Sequence, residues 1–112
     1  MLGQGAKQRT PWEGRVKLGQ TIVSVEVPNP PVVILTFADG YKSTLNLQWL
    51  LDIGKVFTPL RDPELFRTAH PGSGGGSLDW ITLDGEEIDL CGDTLRMEAE
   101  GIWDPVKQEW KV

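Results

Sequence analysis

The chain has 112 residues, 39% of them hydrophobic and 24% charged, with a formal net charge of −5. That length fits one domain, and the apolar fraction excludes a wholly disordered chain. One cysteine, Cys91, and one histidine, His70, exclude an intramolecular disulfide and any zinc site built on cysteines. No apolar run approaches the roughly 20 residues needed to span a bilayer, and no signal-peptide core is visible, so cytoplasmic residence without membrane contact is expected.

In chain order, residues 1–20 read as a flexible tail. Lys7, Arg9, Arg15 and Lys17 stand there against Glu13, a local charge of +3. Order is expected from Thr21. Val23, Val25 and Val27 alternate with Ser24 and Glu26, the period of a half-buried strand. Pro28-Asn29-Pro30-Pro31 should break that ladder, because proline donates no backbone N–H. Val32 to Phe37 predicts a buried second strand. Asp39-Gly40 predicts a two-residue type I′ turn into a third strand from Tyr41.

A helix is expected next, with Asn46 as cap, Trp49, Leu50 and Ile53 on one face, and Gly54 as stop. A second short helix is marked by Asp62 at the N-cap, Pro63 in the first turn, and Glu64 favouring the dipole. Leu65 and Phe66 should dock it on the sheet. His70 near its end is read as a capping cation. Gly72 to Ser77 is read as a flexible connector, since a phosphate loop would need a following helix and usually a lysine. Leu78–Leu83, Asp84-Gly85 and Glu86–Leu90 give a second hairpin. Asp93 can cap a final helix that Gly101 stops, and residues 102–112 form a C-terminal extension.

The expected fold is therefore α+β. It is a two-layer body over 21–101, with a mostly antiparallel sheet of about five strands (21–27, 32–38, 41–46, 78–83, 86–90) and two or three short helices. The pattern strand, Asp-Gly, strand, helix occurs twice. Aligning the turns sets Phe37 opposite Thr82, so the likeness is read as shared turn chemistry.

The residues supply no catalytic, cofactor or metal constellation. From Asp79, the third position of a calcium loop is Ile81 rather than an oxygen donor, so that pattern fails. Ser73 and Ser77 near His70 lie in a glycine-rich stretch without preorganisation. Cys91 has acidic neighbours that blunt a thiol, so a buried structural role is expected. Trp80 and Trp49 are core candidates, while Trp12, Trp103 and Trp110 are candidate contact aromatics.

Charge carries the functional expectation. Residues 79–104 hold nine carboxylates against Arg96 alone, a local charge of −8. Such a surface repels phosphates and favours a basic protein partner, so nucleic acid is not the expected ligand. Glu86, Glu87, Asp89, Glu98 and Glu100 are the candidate partner-binding residues. The alternative is a DNA-binding regulator of its own operon, for which only the cationic tail speaks. Homo-oligomerisation through an open sheet edge is a further option.

Several phrases carry a family likeness. They are Val23-Ser24-Val25-Glu26-Val27, Thr36-Phe37-Ala38-Asp39-Gly40, Leu45-Asn46-Leu47, the run from Val56 to Phe66, Leu78-Asp79-Trp80, Gly85, Glu87-Ile88-Asp89-Leu90 and Asp93-Thr94-Leu95-Arg96. In combination, over about 21–101, the chain resembles the bacterial domain-of-unknown-function family 2442. The resemblance implies a small α+β domain with no established activity. It also implies an adjacent-gene partner in an arrangement similar to toxin–antitoxin pairs. Some members of that family carry a C-terminal helix-turn-helix, for which residues 102–112 are too few.

Overall fold

The computed structural model describes residues 19–110. The basic segment assigned to a tail, and Trp12 with it, lies almost entirely outside the described residues. The fold is α+β with antiparallel pairing throughout. Strands β1 (Ile22–Asn29), β2 (Val32–Phe37) and β3 (Lys42–Asn46) form a meander. Helix α1 (Gln48–Ile53), a 3-10 segment (Lys55–Arg61) and helix α2 (Pro63–Phe66) follow. A second meander comprises β4 (His70–Pro71), β5 (Ser77–Ile81) and β6 (Glu87–Cys91), and leads into α3 (Gly92–Ala99). A short hairpin, β7 (Trp103–Asp104) and β8 (Glu109–Trp110), closes the described chain.

The single five-stranded sheet expected from the sequence is thus corrected to three small sheets of three, three and two strands. β1 and β4, the opening strands of the two meanders, pack against each other without ladder hydrogen bonds. The reason is local. β4 is two residues long and one of them is Pro71, which has no N–H to give. β1 is irregular at two places, between Ile22 and Ser24 and between Glu26 and Asn29. A bulge bends and twists a strand and spoils its outer edge for pairing. The first irregularity also turns Val23 outward to 57% exposure and leaves Ile22 buried, against the phase expected from the Val23-Val25-Val27 alternation. β1 nevertheless runs on through Pro28, which an outer strand tolerates.

Both Asp-Gly turns are three-residue loops rather than type I′ pairs. Phe37 donates to the Tyr41 carbonyl (2.8 Å) and Gly40 to the Phe37 carbonyl (2.9 Å). Thr82 donates to Glu86 (2.8 Å) and Gly85 to Thr82 (2.9 Å) in the same pattern. Only the glycines, Gly40 at φ 92° and Gly85 at φ 86°, take positive φ. The aspartates are spared the left-handed region, as a type I turn followed by a glycine bulge allows.

The likeness of the two halves exceeds their turns. Adding 45 to the pair Val32 and Asn46 gives Ser77 and Cys91, and both pairs are in register. Leu47 donates to Pro31 (2.9 Å), and 45 residues on Gly92 donates to Gly76 (2.9 Å). Buried Val33, Leu35 and Leu50 correspond in this way to buried Leu78, Trp80 and Leu95. The mismatch of Phe37 with Thr82 is an exception within a shared register.

These side chains make one core, joined by Leu47, Leu60 and Phe66. Asp62 caps α2 as its sequence announced, its carboxylate accepting from the Glu64 N–H at 2.9 Å. Phe66 is fully buried against Trp80, ring centroids 5.5 Å apart, and the Trp80 indole donates to the Phe66 carbonyl at 3.0 Å. α3 starts one residue before Asp93, which instead accepts from the Gly19 N–H at 2.8 Å. Its end is a Schellman motif: Ile102 donates to Met97 (3.1 Å) and Gly101 to Glu98 (3.1 Å), which turns Ile102 into the interior. Beyond it, Trp103 and Trp110 meet edge to face at 4.8 Å.

The glycine-rich stretch is packed rather than slack. A Cβ on Gly75, at φ 76°, would lie 2.8 Å from the Ile22 carbonyl oxygen and 2.8 Å from the Thr21 Cβ. At Gly76, with φ −79°, nothing lies within 4 Å. Gly75→Ala should therefore destabilise by about 2 kcal/mol or more. Gly76→Ala should be neutral, or stabilising by about 0.5 kcal/mol. Urea denaturation of the two variants checks this, and a slack connector would tolerate both equally.

Candidate functional site

The chemistry that the chain concentrates in its interior is one cation. Arg96 on α3 is the sole charged side chain among the buried described residues, 5% exposed. Its Nη1 donates to Asp39 Oδ1 (3.1 Å), its Nη2 to Asp39 Oδ2 (2.8 Å), and its Nε to Glu100 Oε2 (2.6 Å). The guanidinium carbon sits 4.2 Å from the Tyr41 ring centroid and 4.9 Å from that of Phe37. The Tyr41 hydroxyl reaches on to the Ala99 carbonyl at 3.1 Å. The two-pronged bond to one carboxylate needs a planar fork, and the rings need a weakly hydrated cation. Arginine meets both requirements and lysine neither.

This arrangement binds helix to hairpin and leaves the guanidinium no open face for a ligand. The Arg96 hydrogen bond holds the Asp39 carboxyl below the usual carboxylate range, opposed in part by the desolvation of burial. The same bond holds the Arg96 proton more firmly than usual. Because the folded pKa of Asp39 is lowered, its contribution to stability is present above the ordinary aspartate range. It is lost as pH falls through the lowered value.

The five candidate partner-binding carboxylates do not form one surface. Glu100 is committed to Arg96, and Glu98 is half-buried on the same helix. Glu86, Glu87 and Asp89 are exposed, at the β5–β6 turn and along β6. β6 is an edge strand of its sheet. Hydrogen-bonded pairing at Thr82 with Glu86 and at Gly76 with Gly92 fixes the alternation between them. It turns the backbone N–H and C=O of Glu87 and Asp89 away from β5.

His70 and Cys91 take places the sequence did not indicate. α2 ends at Phe66, so His70 does not cap it. His70 pairs with Asp79 in the second meander, and its Nδ1 is 3.0 Å from the Thr68 carbonyl. Cys91 is exposed at the start of α3, not buried. Among the described residues, no three His, Cys, Asp or Glu side chains converge to hold a metal ion, and no helix is long and apolar enough to cross a membrane.

An apolar cleft of about 240 Å³ lies between α1 and the final hairpin, lined by Trp49, Asp52, Ile53, Pro105, Val106 and Gln108. Ile53, expected on the buried face of α1, is 42% exposed there. Two further grooves flank the tip of the second hairpin. Neither the grooves nor the Arg96 clamp was read from the sequence. The four-residue spacing of Arg96 and Glu100 was a visible signal for half of the clamp, but Asp39 lies 57 residues away. In comparisons with family models, curated proteins and solved structures, nothing matches this chain.

Arg96→Met should destabilise by about 2–3 kcal/mol, because it removes the charge-assisted hydrogen bonds while the carboxylates left behind, each 21% exposed, regain water. Arg96→Lys should cost about 2 kcal/mol, because a point charge cannot bond both oxygens of Asp39. In Asp39→Asn, stability should fall less steeply below the ordinary aspartate range than in the parent chain. Denaturation curves recorded against pH read both effects, and a parallel acid limb in the two proteins would remove Asp39 as its source.

Proposed function

We propose that this chain is a non-catalytic protein-binding module of the cytoplasm. Its partner is a basic protein, and the resemblance to family 2442 makes the product of an adjacent gene, in a toxin–antitoxin-like pairing, the first candidate. The observation that carries the reading is the exposed acidic strand. Glu87 and Asp89 stand on an edge β-strand with Glu86 at the turn that leads into it, and no described residue forms an ion pair with them. Charges left unneutralised on a rigid strand steer an oppositely charged protein and fix its register. The interior cation sharpens the contrast. Arg96 engages Asp39 and Glu100, whereas Asp84, Glu86, Glu87 and Asp89 stay exposed at the β5–β6 turn and along β6.

The test is co-expression with the adjacent-gene product, followed by affinity measurement across ionic strength. The dissociation constant should rise at least about tenfold from low to high salt. Glu86→Gln, Glu87→Gln and Asp89→Asn together should slow association far more than they speed dissociation. A salt-independent affinity, indifferent to those three changes, removes the charge-steered reading. A gel shift with the DNA upstream of the gene provides the opposing arm, since a retarded band at physiological salt favours a regulator of its own operon.

A further inference from the structure

The two meanders share a register but finish their hairpin tips differently. In the first, Asp39 at the tip is held by the fork of Arg96, whose guanidinium lies over the Phe37 and Tyr41 rings. The residue 45 positions on is Asp84, at the tip of the second, and no described residue donates to its carboxylate or pairs with it. Beside that tip lies a groove of about 310 Å³ lined by Lys55, Val56, Pro59, Glu86, Glu87 and Ile88. It abuts a second of about 290 Å³, which shares Pro59 and Glu86 and adds Asp62, Leu65, Leu83 and Asp84 among its walls.

The apolar walls are open to solvent, Val56 at 68% exposure and Leu83 at 102%. The linings hold four acidic residues, Asp62, Asp84, Glu86 and Glu87, against one basic residue, Lys55. The backbone of Glu87 and Asp89 along the adjoining edge offers donors and acceptors unused by β5.

We propose that these grooves and the β6 edge take an extended cationic segment of another protein. An apolar side chain of that segment seats against Val56, Pro59 and Leu83. Its arginine or lysine side chains meet Asp84, Glu86 and Glu87, as Arg96 meets Asp39 within the chain. Its backbone pairs along Glu87 and Asp89, in the manner of an added strand. A second copy of this chain fits poorly as the occupant, because β6 against β6 sets carboxylates opposite carboxylates. The proposal rests on the partner-binding reading above and adds the place and the chemistry of the ligand.

The test uses the full chain and a short fluorescent peptide in which Arg and Lys alternate with Leu and Val. Two further peptides carry Glu in place of the cations, or N-methyl groups on alternate amides. The cationic peptide should bind saturably and shift the Glu87 and Asp89 amide resonances. The Glu peptide should not bind, and N-methylation should weaken binding about tenfold. Val56→Ser with Leu83→Ser changes exposed side chains only, leaves the charge intact, and should also weaken binding about tenfold.

Absence of saturable binding overturns the proposal. So does binding that falls with Asp84→Asn and Glu87→Gln yet ignores both the double serine variant and N-methylation. In that second case diffuse charge attraction, and with it the partner-binding function, survives without the groove. Self-association of the full chain that Leu83→Ser abolishes would give the groove to a second copy and likewise overturn the proposal.

Discussion

The fold depends on one buried cation held between two carboxylates and two aromatic rings. Arg96 belongs to the helix that follows the second meander, whereas Asp39, Phe37 and Tyr41 belong to the tip of the first hairpin. The two meanders have no ladder hydrogen bonds between their opening strands, so side chains must hold them together. Apolar packing supplies most of that attraction but is indifferent to small slips. A two-pronged bond at 2.8 and 3.1 Å, with the Arg96 Nε donating to Glu100, is directional and fixes where α3 lies over the hairpin. A buried guanidinium is tolerated only because these partners replace its water.

Near-equivalence of the halves makes their differences informative. The first hairpin carries Phe37 and Tyr41 beside its tip, and these build a floor for an arginine from within the chain. The second carries Thr82 and Glu86 at the corresponding positions, 45 residues on, and no internal cation comes to it. Instead, the 3-10 segment stands off from the tip and leaves grooves floored by Val56 and Pro59. One half of the molecule is thus closed by its own side chains. The other presents the same turn, and more carboxylates, to solvent. That asymmetry, which net charge does not reveal, sets the two tips apart.

Glycine has opposite roles at the hairpin tips and in the stretch before β5. At the hairpin tips it supplies a left-handed residue with open space around it. In the stretch before β5, Gly75 lets two backbones approach where no Cβ fits. The same composition that reads as a slack linker therefore forms a seam between β1 and the second meander. Composition alone does not distinguish these roles, because both use the same residue and differ only in what lies opposite.

The features that followed from the sequence are those whose causes lie within a turn or two of chain. The Asp62-Pro63-Glu64 start of α2, the Gly54 and Gly101 stops, both Asp-Gly hairpins and the second strand from Val32 to Phe37 depend on neighbours. Neighbours are written in the sequence. The features it concealed depend on which surfaces meet: the split of one expected sheet into three, the outward turn of Val23 at an irregular strand, the exposure of Cys91, and the pairing of His70 with Asp79. The clamp shows the division within one residue. Glu100 stands one helical turn from Arg96 and was legible, but Asp39 is set beside it only when the second meander's helix folds over the first hairpin. Sequence determined the pieces and their charge, and packing decided which carboxylates Arg96 engages and which stay free of it at the second hairpin.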